Sequence, residues 1–275
     1  MKIEIFLVTM LIALMLTNIV AKKGNLGALI GIGGGILIGL VAGAIVSIID
    51  GLSGGLNLSL LIPLEFVIVL AVGAVSVSIM FYRDPKRVPP AKKGIIVSPA
   101  DGRIIYIKKI EEGKIPSSIK GKCNIPLEEL AKVNLLKTGY IIGIVMSILD
   151  VHVTRSPISG KIIFDKHTKG KFLSLKKSES EVLNERNTIV IDNASFKIGV
   201  VEIASRLVRR IDSYIGEGDF VDIGKKIGMI KFGSQADIIL PEIPGIRIVV
   251  AEGEQVRGGT TIIAEYGLNK SVVND

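Results

Sequence analysis

The hydrophobic positions of this chain follow two different patterns, one before and one after residue 82. Three long apolar runs fill the first part, at residues 5–21, 26–49 and 58–82. Each run approaches or exceeds the roughly 20 residues with which an α-helix crosses a bilayer. A secretory signal peptide is the alternative for the first run, but its apolar part would be shorter and would end at a cleavage site with small residues. The pattern predicts a membrane anchor of about three transmembrane helices in residues 1–82.

A charged and proline-rich stretch, RDPKRVPP at residues 83–90, separates this anchor from a second region. The last helix ends there, because a residue before proline is biased away from helical geometry. Beyond it, short Ile- and Val-rich runs between turn residues are typical of β-strands. One helix is predicted at residues 126–137, where a proline stands first and Gly139 follows the end. The predicted strands span residues 94–97, 103–107, 140–147, 160–164, 188–191 and 195–203.

Two segments near the C-terminus resemble each other. EGDFVDIGKKIGMI begins at Glu217 and EGEQVRGGTTIIA begins at Glu252, and in each an acidic start leads through a valine to a glycine and an apolar strand. The pattern is similar to the hairpin repeat of lipoyl and biotinyl carrier domains. We therefore predict a mainly β (α+β) domain with lipoyl/biotinyl-like hairpin repeats in residues 83–275. Neither repeat has the protruding lysine of a carrier, so the alternative function is that of a membrane-anchored, non-enzymatic adaptor.

The distribution of charge predicts how the anchor is oriented. The chain has 34 Lys and Arg against 26 Asp and Glu. Basic residues lie between the first two apolar runs and after the third, whereas residues 50–57 contain no Lys or Arg. By the positive-inside rule, the protein lies in the cell membrane and its β-rich domain faces the cytoplasm. The single cysteine, Cys123, allows no internal disulfide, which agrees with a reducing compartment.

The Gly233-Ser234 pair is a candidate for chemistry, because it lies between two apolar runs in IGMIKFGSQADIILP. Glycine permits backbone geometries that are closed to other residues, and a serine hydroxyl can attack the preceding carbonyl once a base removes its proton. An N-to-O acyl shift and β-elimination would cut the chain there. Hydrolysis of the resulting dehydroalanine would leave a pyruvoyl group at position 234. An ordinary turn is the alternative for this dipeptide.

Histidine is the side chain best suited to act as that base near neutral pH, and the chain has only two, His152 and His167. His152 follows Asp150 by two residues, so both side chains would lie on the same face of an extended strand. The alternative is that His152 is a half-buried strand residue with one hydrogen bond. Asp101 lies in SPADGR, where Asp-Gly favours a tight turn that the carboxylate would cap.

Ordered motifs connect these residues over nearly all of residues 83–260. They closely resemble the phosphatidylserine decarboxylase family in its short form, including archaeal members that act on archaetidylserine. In chain order the motifs are RDPKRVPP, VSPADGRI, MSILDVHVTRSPISG, HTKGKF, NERN, RLVRRI, EGDFVDIGKKIGMIKFGSQADIILP and EGEQVRGG.

This resemblance implies a proenzyme that cleaves itself between Gly233 and Ser234 into a large and a small chain. The new terminus would carry a covalent pyruvoyl group, which forms a Schiff base with the amine of a serine headgroup and accepts the electrons released with carbon dioxide. In the family an aspartate, a histidine and this serine act together, and they map to Asp101, His152 and Ser234. The implied activity is decarboxylation of phosphatidylserine or archaetidylserine to the ethanolamine lipid, without a metal ion.

The resemblance also implies roles for other polar residues. Many relatives have a second histidine three residues after the first, but this sequence has Arg155 there, so His152 is assigned to both cleavage and decarboxylation by elimination. Asp150 is a supporting candidate, and His167 lies in a matching motif without an assigned role. Four basic residues are candidates to hold the lipid phosphate or carboxylate, or are simply solvated: Arg155, Arg186, Arg209 and Arg210.

The expected partners are a membrane and an anionic serine phospholipid, which the basic residues after the third apolar run would attract. The large and small chains of one precursor would also be partners of each other. Six glycines in the second run fit close packing of helices, within the chain or in a homo-oligomer: Gly31, Gly33, Gly34, Gly35, Gly39 and Gly43. Nucleic acid is not expected, because 5% of the residues are aromatic and membrane-flanking lysines account for part of the positive charge.

Overall fold

The structure of this protein is a computed structural model that describes residues 3–23, 27–110, 138–169, 185–204, 210–231 and 234–267. Only the backbone is described for Lys23, Arg210 and Ser234. The chain divides into two compact units, Met1–Phe81 and Tyr82–Asp275. The helix predicted at residues 126–137 lies outside the described residues.

The first unit consists of the three predicted helices, which are confirmed. They are α1 (Ile3–Lys23), α2 (Ala28–Leu52) and α3 (Leu58–Tyr82). Each is long and apolar enough to cross a membrane. Many large apolar side chains on their surfaces are exposed, for example Leu29 at 85%. A surface of this kind is suited to contact with lipid.

A glycine at every fourth position of α2 lets α1 pack closely against it. An added Cβ would lie 2.6 Å from Thr17 Oγ1 at Gly35 and 2.9 Å from the Cα of Met10 at Gly39. Thr17 Oγ1 also donates a 2.8 Å hydrogen bond to the carbonyl of Gly31. Because these contacts lie within one chain, packing of α1 on α2 accounts for the glycines.

The second unit is built from β-strands, and all six predicted strands are confirmed with ends shifted by a few residues. The strands are β1 (Ile95–Val97), β2 (Gly102–Ile110), β3 (Gly139–Val145), β4 (Val153–Arg155), β5 (Gly160–Thr168), β6 (Arg186–Asp192), β7 (Lys197–Ala204), β8 (Arg210–Ser213), β9 (Phe220–Val221), β10 (Lys226–Lys231), β11 (Ser234–Pro241), β12 (Arg247–Ile248), β13 (Gln255–Val256) and β14 (Ile262–Glu265).

The strands form one large antiparallel sheet and two small ones. The large sheet has eight strands in the order β13-β2-β3-β11-β7-β6-β5-β9, and the three-stranded sheets have the orders β1-β14-β12 and β4-β10-β8. Neighbouring residues of the central strands enter different cores, as Ile238 belongs to the main cluster and Ile239 to a second one. Both faces of the large sheet are therefore buried around β11, because successive side chains of a strand point to opposite faces.

The sequence repeat is present in the backbone of the second unit. Gly218 and Gly253 have φ values of +97° and +86°, and Gly224 and Gly259 have values of +78° and +76°. Each repeat runs from an edge strand of the large sheet, β9 or β13, to the middle strand of a small sheet, β10 or β14. A Cβ added at Gly259 would lie 3.4 Å from the Cα of Gly224, so the two repeats meet at these turns. The structural similarity of these repeats to the hairpins of lipoyl and biotinyl domains stays a prediction.

Candidate active site

The Gly233-Ser234 pair lies where the chain passes from one sheet to another. β10 ends at Lys231 in the middle of a three-stranded sheet, and β11 begins at Ser234 in the centre of the eight-stranded sheet. The backbone of Ser234 pairs with Ala204 of β7. β10 and β11 are not paired with each other. Residue 233 itself lies outside the described residues.

His152 lies directly before β4 and is fully buried rather than half-buried. Its carbonyl accepts a 3.1 Å hydrogen bond from the amide of Ile230, which fixes it beside the end of β10. Its Nδ1 lies 2.9 Å from the carbonyl oxygen of Asp150. Because a carbonyl only accepts, Nδ1 carries the proton of the neutral ring and Nε2 is the basic nitrogen.

The environment of His152 keeps its imidazole neutral near pH 7. The pKa of His152 is lowered to about 4, mainly by burial, and the charge of Arg83 acts in the same direction. The hydrogen bond to Asp150 and the carboxylates of Asp150 and Asp101 act in the opposite direction but are weaker. A buried neutral imidazole has the protonation state that a general base needs.

Asp101 lies in the turn before β2, and its carboxylate binds partners that are distant in sequence rather than its own turn. Oδ1 accepts a 2.7 Å hydrogen bond from the amide of Gly258, and Oδ2 lies 2.7 Å from Nη2 of Arg87. The next residue, Gly102, has a φ of +143° and no space for a side chain beside the carbonyl of Val145. The turn is therefore specific to glycine, and it holds a buried, ion-paired carboxylate.

The pairing of three strands brings Asp101 and Ser234 to the same end of the large sheet. Arg103 pairs with Val145 of β3, which pairs in turn with Gln235 of β11. The outer two of three adjacent strands lie about 10 Å apart. The carbonyl of Pro99, in the turn before Asp101, accepts a 2.8 Å hydrogen bond from the amide of Arg155 at the end of β4. These backbone contacts gather the Asp101 turn, the strand of His152 and the start of β11.

Comparison with known proteins identifies the family. A sequence profile of phosphatidylserine decarboxylase matches residues 76–264. The chain belongs to this family. Over 188 residues, 68% of this chain and 88% of the relative, it is 44% identical to a Methanocaldococcus jannaschii protein named as an archaetidylserine decarboxylase proenzyme. A Methanothermobacter thermautotrophicus protein with the same name is 36% identical over 75% of this chain and 88% of its own length.

A bacterial relative has a different substrate in its name. The phosphatidylserine decarboxylase proenzyme of Azorhizobium caulinodans is 38% identical over 72% of this chain and 77% of its own length. The family resemblance of the ordered motifs is thereby confirmed. The alternative of a non-enzymatic adaptor has no support from these comparisons.

A buried acid beside β11, Glu202 of β7, was missed by the sequence analysis. Its carboxylate accepts hydrogen bonds from Thr154 Oγ1 of β4 and, at 3.3 Å, from Asn187 Nδ2 of β6. Burial raises the pKa of Glu202 to about 7, and the two hydrogen bonds oppose this shift. A Cβ added at Gly228 of β10 would overlap the same carboxylate. In the sequence, Glu202 could have been recognised as the one acidic residue within the apolar strand KIGVVEIA.

Two of the predicted residues near His152 make structural contacts. The carboxylate of Asp150 accepts a 2.7 Å hydrogen bond from the amide of Ser147, so it caps a turn while its carbonyl holds His152. Arg155 is buried, and its guanidinium donates to Asp84, to the carbonyl of Pro85 and to the carbonyl of Gly224. Arg155 is thus already bound to three acceptors.

Two of the remaining predicted residues, His167 and Arg186, lie on β5 and β6 of the large sheet. His167 is half-exposed at the end of β5, with Nε2 2.8 Å from Glu185 Oε1. The carbonyl of Glu185 accepts a 2.9 Å hydrogen bond from the amide of Ala204, the residue that pairs with Ser234. Arg186 is buried in β6, next to Glu185. Arg209 lies outside the described residues, and the backbone of Arg210 pairs with Lys231.

Proposed function

We propose that this protein is a membrane-anchored, self-processing decarboxylase that converts the serine headgroup of phosphatidylserine or archaetidylserine to ethanolamine. Membership of the family supports the reaction, and the names of the relatives support both lipids as substrates. The observation that carries the residue assignment is the buried, neutral imidazole of His152 beside the strand that leads to Ser234. By the positive-inside rule, the positive charges that flank the apolar helices place the catalytic domain on the cytoplasmic side of the membrane.

Self-cleavage begins when Nε2 of His152 takes the proton of the Ser234 hydroxyl. The serine oxygen attacks the carbonyl carbon of Gly233, and the C–N bond breaks as an ester forms. Loss of the α-proton of residue 234 then breaks the Cβ–Oγ bond, so the large chain leaves with its carboxylate at Gly233. Water converts the remaining dehydroalanine to the pyruvoyl group and releases ammonia. The carboxylate of Asp101 favours the imidazolium through its charge, since it raises the pKa of His152.

The described residues around position 234 fit a pyruvoyl group. Gln235 and Ala236, which follow it in β11, are buried at 3% and 0% exposure, and the imidazole of His152 is buried as well. Water-poor surroundings of this kind favour loss of charge from a substrate carboxylate. When present, the pyruvoyl ketone supplies an electrophile for the headgroup amine and an acceptor for the electrons left by carbon dioxide. His152 Nε2 returns a proton to the α-carbon after carbon dioxide has left.

Intact-mass analysis of purified full-length protein tests this proposal. We expect two fragments, residues 1–233 and 234–275, the second with the mass of a pyruvoyl terminus. Ser234→Ala should remain a single inactive chain, whereas Ser213→Ala, at an exposed serine in a neighbouring sheet, should be cleaved normally. An uncut wild-type chain, or an ordinary serine amine at position 234, would overturn the proposal. Isotope-labelled lipids with ester-linked or ether-linked tails then identify the preferred substrate.

A further inference from the structure

Residues 83–87, RDPKR, form a segment without regular secondary structure that we call the strap, and three of its five side chains bind next to the candidate site. The strap begins at the residue that follows α3 in sequence. Nη2 of Arg83 donates a 2.5 Å hydrogen bond to the carbonyl of Leu149, which lies three residues before His152. The first contact of the strap is therefore with the loop that carries His152.

The second contact explains what Arg155 does in this chain. Nη2 of Arg155 donates to Asp84 Oδ1 and, at 3.1 Å, to the carbonyl of Pro85, while Nη1 donates at 3.1 Å to the carbonyl of Gly224. Lys226 Nζ lies 3.5 Å from the other oxygen of Asp84. The side chain of Arg155 is 9% exposed, so its charge is buried against the strap. Binding a lipid phosphate with this guanidinium would require release of Asp84.

The third contact holds the carboxylate of Asp101. Nη2 of Arg87 lies 2.7 Å from Asp101 Oδ2, and Nη1 donates a 3.2 Å hydrogen bond to the carbonyl of Gly258. The amide of Gly258 donates to Asp101 Oδ1 at 2.7 Å, which closes a ring of three residues. The side chains of Arg87 and Asp101 are only 10% and 11% exposed. Arg87 thereby fixes the carboxylate whose charge acts on His152.

We propose that the strap is a positioning element of the active site, with Arg155 as its anchor and Arg87 as the residue that orients Asp101. In this assignment Arg155, which stands where many relatives have a second histidine, binds the strap and not the lipid phosphate. The assignment rests on the proposed function, because the geometry that it fixes is that of self-cleavage. The strap couples the end of the membrane anchor in sequence to the Asp101 turn, the loop before His152 and the end of β4.

Because the charge of Arg155 is buried, we expect the rate of self-cleavage to be sensitive to substitutions in its contact with the strap. The side chain of Arg155 is 9% exposed and that of Asp84 is 36% exposed, so removal of Asp84 leaves the buried guanidinium without its counter-charge. Removal of Arg155 releases Asp84 from the end of β4. A displacement of about 1 Å within a catalytic arrangement costs on the order of 100-fold in rate. Loss of Asp84 or of Arg155 should therefore slow self-cleavage, although neither residue touches the bond that breaks.

The test measures the rate at which the small chain appears in newly synthesised full-length protein. We expect Asp84→Ala and Arg155→Ala to slow cleavage roughly tenfold or more, because a displacement of less than about 1 Å suffices for a loss of that size. The double variant Asp84→Ala with Arg155→Ala should be no slower than the slower single variant, because both substitutions break the same contact. Lys86→Ala is the matched control, as Lys86 is an exposed charge of the same strap, and its cleavage should stay at the wild-type rate.

A second readout does not depend on cleavage. In the uncut Ser234→Ala precursor, trypsin should cut after Lys86 faster when Asp84→Ala or Arg155→Ala is added, and adding both should cause no further increase. Normal cleavage and normal protection in Asp84→Ala would overturn the proposal, as would additive effects in the double variant. A raised KM for lipid in cleaved Arg155→Ala, with normal KM in Asp84→Ala, would instead assign Arg155 to the substrate. An uncut wild-type chain contradicts the proposed function, whereas the trypsin result still decides the strap.

Discussion

The two histidines of this chain occupy contrasting regions of the same domain. His152 is fully buried before β4, with Nδ1 held by a backbone carbonyl and with its own carbonyl bound to β10. The side chain of His167 is 45% exposed at the end of β5, and it faces the carboxylate of Glu185. Both regions are linked to Ser234, the first through the path of β10 into β11 and the second through the pairing of Ala204.

The environments of the two histidines indicate that burial and backbone contacts, and not residue type alone, determine which histidine is suited to act as the general base. At His152, burial excludes water and favours the neutral ring, and the carbonyl of Asp150 selects the tautomer with a basic Nε2. At His167, Nε2 lies 2.8 Å from a carboxylate oxygen of Glu185, so this nitrogen is engaged in a side-chain contact. The same side chain is thus suited to proton transfer in one region and to a surface contact in the other.

The largest effect expected from this comparison is that of His152→Ala. Removal of a general base slows proton transfer about 10²- to 10⁴-fold, so the variant should accumulate as an uncut precursor. Gel electrophoresis of the full-length protein over time measures the fraction cleaved. A wild-type rate of cleavage and turnover in His152→Ala would show that His152 is not part of the site. The proposed difference in role between the two histidines would then be wrong.

The pH dependence of self-cleavage tests whether the base has the lowered pKa of the buried His152. A base acts only when it is unprotonated, and the pKa of His152 is lowered to about 4. The rate should therefore be nearly constant from neutral pH down to about pH 5 and should fall by half close to pH 4. Pulse-labelled protein shifted to buffers of different pH gives this profile. A midpoint near the ordinary histidine value of about 6.5 would contradict the buried environment.

Much of the fold could be predicted from local sequence patterns, because each element depends on neighbouring residues. Apolar runs of membrane length gave the three helices, and short β-branched runs gave the strands. The repeat was visible because Gly224 and Gly259 stand at equivalent positions of two similar segments, and both need a positive φ. Family motifs singled out Asp101 and His152, whose turn and loop the strand pairing brings toward the start of β11.

The contacts that complete the site could not be read from the sequence, because they join residues that are distant along the chain. Arg155 and Asp84 are 71 residues apart, and Gly258 and Asp101 are 157 apart. An arginine in a basic chain gives no indication of whether it will meet lipid or a buried carboxylate. Glu202 was missed for a related reason, since its donors come from two other strands and only the folded sheet places them together.

Glu202 provides a prediction about stability on the His152 side of the sheet. Its folded pKa of about 7 lies above the ordinary value of 4.5, so it stabilises the fold below pH 4.5 and this contribution is lost as pH rises through 7. The pKa of His152 is lowered, so its contribution is present above pH 6.5 and is lost as pH falls toward 4. The two contributions therefore oppose each other in the same pH range.

Glu202→Gln should separate these contributions. Because burial raises the pKa of Glu202 to about 7, the variant should avoid a loss of folding stability on the order of 3 kcal/mol between pH 4.5 and pH 7. The measurement is the thermal midpoint of the uncut Ser234→Ala precursor with and without Glu202→Gln, in the same detergent at each pH. A constant difference between the two proteins across this range would show that Glu202 does not titrate there.

The smallest effect is expected for His167→Gln, which is the matched test of the other histidine. The contact between His167 and Glu185 is partly exposed, and glutamine retains a donor for Glu185, so the rate of self-cleavage should stay within about twofold of the wild type. Cleavage and lipid turnover are measured on the same preparation, because the two reactions need not share a base. Normal cleavage with lost turnover would mean that His167 serves decarboxylation while His152 serves processing. In that case exposure at the end of β5 would reflect access for the lipid headgroup, and the contrast between the two regions would become a division of labour.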